Sequence, residues 1–173
     1  MQRSIILIGY RGTGKTTIGR TLAKRLSMPF VDSDPIIESR TGKTIAEIFR
    51  DDGEKTFRDY EEKVFSDLLQ PRRNALVIAS GGGAILRENT RALMRKRGEV
   101  IWLTADPKTI LARIQTDKTT STRRPDLTNL TQLEEIKTIL TARTPLYQNT
   151  AHVIIDTESI TRAKLVEEII ALL

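Results

Sequence analysis

The sequence predicts an α/β protein, a three-layer α/β/α sandwich on a five-stranded parallel sheet, and three observations predict it. Short apolar, β-branched runs alternate along the chain with segments of helical periodicity. The first of these runs, Ser4-Ile5-Ile6-Leu7-Ile8, is apolar beyond its first residue, as a strand covered on both faces requires. That run ends in a glycine-rich turn, GYRGTGKT at residues 9–16, which leads directly into a helical pattern.

Taken in order, the strands are expected at Ser4–Ile8, Pro29–Asp32, Ala75–Ala79, Val100–Thr104 and Val153–Ile155. Helices are expected at Lys15–Ser27, where Ile18, Leu22 and Leu26 share a face, and over a long stretch around Ile45–Leu69. Further helices follow at Glu88–Arg97, Lys108–Thr116, Leu133–Gln148 and Thr161–Leu172. The last has an apolar face that packs on the sheet or supports a dimer. Trp102 in a core strand and His152 at the start of the last one read as structural. No repeat or linker divides the chain, so residues 1–173 form one domain. Right-handed crossovers bring the C-terminal ends of the strands, and the loops that follow, to one edge of the sheet. Residues 116–130, TDKTTSTRRPDLTNL, are polar and aperiodic; they fit either a surface loop or a lid, and their length and position favour the lid.

Composition narrows the function. The 173 residues are 39% hydrophobic and 29% charged, as in an ordinary globule. With no cysteine and His152 as the only histidine, disulfide frameworks, Cys-ligated metals and histidine clusters are excluded. No leader-like segment precedes the first strand and no apolar run nears membrane-spanning length, so a cytoplasmic protein is expected. The net charge of +6 suits nucleic acid, or a pocket for two anions. Few aromatics, and none interleaved with arginine in the way that stacks bases, favour the pocket.

The turn at residues 9–16 fits the phosphate-loop spacing G-x-x-x-x-G-K-[ST] through Gly9, Gly14, Lys15 and Thr16. Its glycines let successive backbone N–H groups turn inward, and the following helix adds partial positive charge. Lys15 reaches the β- and γ-phosphates as a point charge, and the Thr16 hydroxyl ligates Mg²⁺. An acceptor site needs more. Asp32-Ser33-Asp34 follows the second strand, where one carboxylate suits the Mg²⁺ shell and the other an acceptor hydroxyl. Asp34 before Pro35 also reads as a helix N-cap. Phe57-Arg58 with Glu61 reads, taken alone, as a solvated face pair. Ser80-Gly81-Gly82-Gly83 clears side chains from a strand end where a ligand can approach the backbone.

GYRGTGKT, DSD, FR with Glu three residues on, SGGG, RRP and R-x-P-L-Y (Arg143 to Tyr147) stand in the order found in shikimate kinases, which the chain resembles over essentially its whole length. The resemblance implies a nucleoside-monophosphate-kinase-like P-loop fold. It implies an acceptor-binding helical segment at about 33–61 and a lid at about 112–127. It also implies a reaction: ATP phosphorylates the 3-hydroxyl of shikimate, with Mg²⁺ as cofactor. By similarity, Lys15, Asp34 and Arg124 are catalytic, and Gly12, Thr13, Gly14, Lys15, Thr16, Thr17, Arg113 and Arg124 hold the nucleotide. Arg113 stacks on adenine, and Arg124 closes from the lid beside Arg123. Asp34, Arg58, Gly81, Gly82, Gly83 and Arg143 bind shikimate, the two arginines taking its carboxylate. Thr16 and, through water, Asp32 serve the metal. The expected partners are ATP and shikimate, with no nucleic acid, no membrane and a monomeric chain. A kinase for gluconate or a nucleoside monophosphate, and a non-catalytic nucleotide-binding module, remain as alternatives.

Overall fold

The computed structural model describes residues 3–71, 74–116, 131–158 and 161–173. Its centre is a parallel sheet of strands β1 (Ser4–Ile8), β2 (Phe30–Asp32), β3 (Val77–Ala79), β4 (Gly98–Thr104) and β5 (Val153–Asp156), ordered β2-β3-β1-β4-β5. Ile5 pairs with Val77, Asp32 with Ala79, Leu7 with Ile101 and Trp102 with Ile154. Alternate residues of the central strands feed opposite layers. Ile6, Ile8, Ile78, Val100 and Trp102 enter one core, and Ile5, Leu7, Val77, Ile101 and Leu103 the other. That two-sided burial is why these strands are near-continuous apolar runs.

One layer holds α1 (Lys15–Leu26) and α8 (Arg162–Ala171), through Ile18, Leu22, Leu165, Val166 and Ile169. Gly19 lets α1 lie close, since a Cβ there would stand 2.6 Å from the Phe30 ring. The C-terminal helix therefore spends its apolar face on the sheet. The other layer holds α2 (Ser33–Thr41), α3 (Ile45–Asp51), α4 (Gly53–Leu68), α5 (Glu88–Arg97) and the C-terminal part of α7 (Gln132–Thr150). At the loop edge, α6 (Pro107–Thr116) and the start of α7 pack Ile110, Ile114 and Ile136 against Tyr10. The chain leaves β1 between β3 and β4, so the glycine-rich loop opens at the point where the strand order reverses.

Four expectations need correction. The single helix around Ile45–Leu69 is two, α3 and α4, because Gly53 takes φ +82° and turns the chain after Asp52. A short helix, α2, opens the expected helical segment at about 33–61, and its cap is Asp32 rather than Asp34: the Asp32 side chain accepts from Asp34 N at 3.2 Å. Asp32 and Asp34 are therefore not two residues of one extended strand, since Asp34 already lies in the first helical turn. Strand β4 begins at Gly98, two residues early, where a Cβ would collide with Ile6. Of the expected lid, α6 carries the beginning as far as Thr116; the remainder, with Arg123 and Arg124, lies outside the described residues.

Candidate active site

The phosphate loop is assembled by backbone conformations that its sequence makes available. Gly9 (φ +142°) and Gly14 (φ +91°) adopt angles that a Cβ disfavours, and a Cβ on Gly9 would meet the Leu103 carbonyl at 2.5 Å. Gly14 caps α1 without a side-chain bond, leaving the first N–H groups of the helix to an anion. Gly12 and Gly14 flank Thr13, whose hydroxyl donates to the Tyr10 carbonyl at 2.8 Å and whose N–H donates to the same oxygen at 3.3 Å. Lys15 is 8% exposed, and its ammonium donates to the carbonyls of Gly9 (2.9 Å) and Tyr10 (2.8 Å). A buried ammonium bonded to carbonyl oxygens is a cation already placed where phosphate oxygens would replace them. Thr17 is exposed on the first turn of α1.

The Thr16 hydroxyl donates to Asp32 Oδ2 at 2.8 Å, which brings together the two residues expected to serve the metal. Burial pushes the Asp32 carboxyl above its ordinary value, and the Thr16 bond opposes that push. One hydroxyl and one desolvated carboxylate form an oxygen donor set that fits Mg²⁺ carried in on phosphates. Asp34 stands beside them in the first turn of α2, and Ser33 between them accepts from Gly81 N at 3.0 Å.

That bond leads to the second cluster. Arg58 on α4 is 8% exposed and pairs with Glu61, itself 1% exposed, through Nη1; it also donates to Glu54 at 2.8 and 3.2 Å. Its guanidinium lies over the rings of Phe57 (5.1 Å) and Phe49 (5.8 Å). The Arg58–Glu61 pair is thus buried, not a solvated face pair. Gly83 backs directly onto it: a Cβ there would lie 2.5 Å from Arg58 Cζ. From α7, Arg143 Nη1 donates to the Gly82 carbonyl at 3.2 Å, and Tyr147 OH donates to the same oxygen at 2.6 Å. Gly81, Gly82, Gly83, Arg58 and Arg143 therefore meet at one turn, with Asp34 and the phosphate loop alongside. On the far side, Arg113 donates to Thr157 Oγ1 (2.8 Å) and to the Thr157 carbonyl (3.1 Å), and reaches the Gly12 carbonyl at 3.5 Å. It ties the phosphate loop to the turn after β5.

Sequence reasoning gave no role to Tyr147 or Glu54. Tyr147 carries a signal, since it lies four residues from Arg143 on one helix face and was already part of the R-x-P-L-Y motif. Glu54 lies four residues before Arg58, the spacing of a helical ion pair, but only the Gly53 break places it in the first turn of α4.

A phosphate loop at the switch point of a parallel sheet, beside two arginines that converge on a glycine turn and an aspartate in the first turn of α2, defines a P-loop kinase for a small acceptor. The sequence profile of the shikimate kinase family matches residues 11–173, and the chain belongs to that family. It is similar to the shikimate kinase of Rhodopirellula baltica, 42% identical over 166 residues that cover 96% of this chain and 88% of the relative. Among solved structures, it is similar to the shikimate kinase from Acinetobacter baumannii in complex with shikimate. That match has a TM-score of 0.90 at 38% identity and covers 99% of this chain and 93% of the other. The shikimate kinase from Bacteroides thetaiotaomicron matches at a TM-score of 0.86 and 29% identity, over 98% of this chain and 97% of the other. Both the expected fold and the expected family are found. Among the described residues no helix is long and apolar enough to cross a membrane.

Proposed function

We propose that the chain transfers the γ-phosphoryl group of ATP to the 3-hydroxyl of shikimate, giving ADP and shikimate 3-phosphate. The observation that carries the acceptor is the meeting of Arg58 and Arg143, from separate helices, on the Gly81–Gly83 turn. Two guanidinium forks from separate helices suit a carboxylate on a rigid ring, and bare backbone lets that ring lie flat. Glu61 and Glu54 hold the Arg58 fork in place, so little side-chain freedom is lost when the carboxylate binds.

The phosphates of ATP are held by the N–H groups of the loop, by Lys15 turned from its carbonyl partners, and by the N-terminus of α1 with Thr17. Thr16 and, through water, Asp32 would hold Mg²⁺, which would supply neutralisation of the phosphate charge. Asp34 accepts a hydrogen bond from the 3-hydroxyl and aims its oxygen at the γ-phosphorus. As the new O–P bond forms, the bond from the γ-phosphorus to the β–γ bridging oxygen breaks and the hydroxyl proton passes to Asp34. Lys15 stabilises the charge that gathers on the leaving oxygen. Arg113 walls the adenine, and Arg124 closes over the phosphates from the lid at about 112–127. Residues 1–173 act as one domain with the acceptor segment at about 33–61. We place the protein in the cytoplasm as a monomer working on two small molecules, without nucleic acid or membrane.

The test is ADP release from Mg·ATP with shikimate, gluconate, AMP or no acceptor. Turnover with shikimate alone supports the reading. Turnover with gluconate or AMP instead keeps the phosphate-loop roles and removes the acceptor roles of Arg58 and Arg143.

A further inference from the structure

Helix α7 touches both halves of the site. Near its C-terminal end Arg143 and Tyr147 hold the Gly82 carbonyl, and the Tyr147 ring stacks on Trp102 with centroids 5.4 Å apart. Just beyond, Arg95 Nη1 donates to the carbonyls of Asn149, Thr150 and Ala151 at 3.0–3.2 Å, fixing that end of the helix to α5. The other end is fixed to the phosphate loop. Glu135, 2% exposed, accepts from Arg11 Nη2 at 3.3 Å, and Arg11 is the loop residue between Tyr10 and Gly12. Tyr10 and Ile136, the chain neighbours of this pair, pack in one apolar cluster.

Stability does not account for this pair. Arg11 meets Glu135 through Nη2 at 3.3 Å and lies over the Tyr10 ring at 5.8 Å, while its Nε is buried without a hydrogen-bond partner among the described residues. Desolvating two charges for one such contact is close to break-even, and an apolar pair of similar volume serves as well. The contact does have a mechanical consequence. The carbonyl of the Tyr10–Arg11 peptide accepts from the Lys15 ammonium at 2.8 Å. When phosphate draws that ammonium away, the peptide loses a bond, and Arg11 is the next side chain along. Glu135 and Arg143 are then separated by about 12 Å of one helix, at about 1.5 Å per residue.

We propose that Arg11 and Glu135 are positioning residues. Their partly buried ion pair passes the state of the phosphate loop along α7 to Arg143 and Gly82, so that nucleotide and acceptor strengthen each other's binding. The inference rests on Arg143 and Gly82 belonging to the acceptor site. Neither Arg11 nor Glu135 needs to touch a substrate.

The experiment measures the dissociation constant of shikimate with and without saturating Mg·ADP. Trp102, the only tryptophan, gives the fluorescence readout through its stack on Tyr147, and calorimetry gives the same ratio independently. In the native protein Mg·ADP should tighten shikimate binding about five-fold or more, and shikimate should tighten Mg·ADP by the same factor. In Arg11→Met, in Glu135→Gln and in the volume-matched Arg11→Met/Glu135→Leu double variant the ratio should fall to within about two-fold of unity. The swap Arg11→Glu/Glu135→Arg should recover part of it. A structural role alone would lower melting temperature without moving the ratio. An unchanged ratio in the folded double variant overturns the proposal, as does a native protein that turns over shikimate with no coupling. A native protein that neither binds nor phosphorylates shikimate overturns the acceptor reading itself, and this proposal with it.

Discussion

Gly83→Ala presses on the proposed carboxylate anchor without altering any charged group. Gly83 sits at φ −106° and ψ 1°, angles alanine accepts, so the backbone is not strained by the change. The added methyl would lie 2.5 Å from both Arg58 Cζ and Nη2. Ordinary contact starts at about 3.4 Å, so the guanidinium has to retreat by about 1 Å, a displacement that in a positioned site costs up to about 100-fold. It has little room to do so, being held by Glu61 and Glu54 and covered by Phe57 and Phe49. A hydrogen bond to a charged partner is worth about 1.5–3 kcal/mol, which is about 10- to 150-fold in affinity. The KM for shikimate should therefore rise by about 10- to 100-fold, while the KM for ATP stays within about two-fold. The assay is initial-rate ADP release with each substrate varied in turn. In an Arg58→Lys background, which alone raises the shikimate KM because a point charge cannot reproduce the fork, Gly83→Ala should add little. A folded Gly83→Ala enzyme with native shikimate KM would refute the contact between Arg58 and the acceptor.

Other perturbations probe the remaining groups. Asp32 is pushed up by burial, so its ionised form costs the ligand-free fold stability; that stability is held at low pH and lost as pH rises through the folded value. Asp32→Asn keeps the cap through its carbonyl oxygen, and its amide N–H can donate to the Thr16 hydroxyl in place of the bond Asp32 accepts, so the ligand-free protein should melt higher at pH 7, by about 2–4 °C for each 1 kcal/mol relieved. Its KM for Mg·ATP should rise at the same time; an unchanged or lower melting temperature contradicts the argument. His152 Nδ1 accepts from Val100 N at 3.0 Å, and burial holds the imidazole below its ordinary value, with Arg95 and Arg3 adding to the push and Glu99 opposing it. Its contribution to stability is present above about pH 6.5 and lost as pH falls towards the lower folded value. Melting curves of His152→Gln from pH 8 to pH 5 should be flatter than those of the native protein. Lys15→Ala should lower kcat by about 10²- to 10³-fold. Asp34→Asn should lower turnover by about 10²- to 10⁴-fold with the fold intact, and near-native turnover would leave it only a structural residue of α2.

The sequence was most legible where one physical requirement dictates several residues at once. Two-sided burial writes β1 and β4 as apolar runs, and phosphate binding needs glycines, lysine and threonine at fixed spacing. It was least legible where tertiary contact decides. The break between α3 and α4 is an exception: Ile48 and Phe57, nine residues or about two and a half turns apart, would fall on opposite faces of one continuous helix, so the change of phase across Gly53 was readable in the sequence. Asp32 caps α2 because the strand ends one residue before Ser33, and a polar run of Asp-Ser-Asp-Pro does not announce a boundary that sharp. Arg58 and Glu61 at i and i+3 look the same on an exposed helix face and in a buried site; only the aromatic rings of Phe49 and Phe57 distinguish them. No local signal joins Arg11 to Glu135, 124 residues apart.

The charge distribution within the molecule shows how it holds two anions without a strongly positive pocket. Among the described residues of the site, Arg11, Lys15, Arg58, Arg113 and Arg143 are matched in number by Asp32, Asp34, Glu54, Glu61 and Glu135. The net charge of +6 is therefore not explained by these residues, contrary to what the composition suggested. Part of the basic excess lies on α5. There Arg91 bonds the carbonyls of Ile85 and Leu86, Arg95 closes the end of α7, and Arg95, Lys96 and Arg97 fill the last helical turn, where positive charge is favourable. Inside the site Glu54 and Glu61 stand behind Arg58, which fixes its fork in direction while cancelling its long-range field, and Glu135 offsets the charge of Arg11. Recognition then depends on donors aimed at particular oxygens rather than on general attraction. Anions of similar charge but different shape gain little from such a site, and discrimination among them follows from geometry.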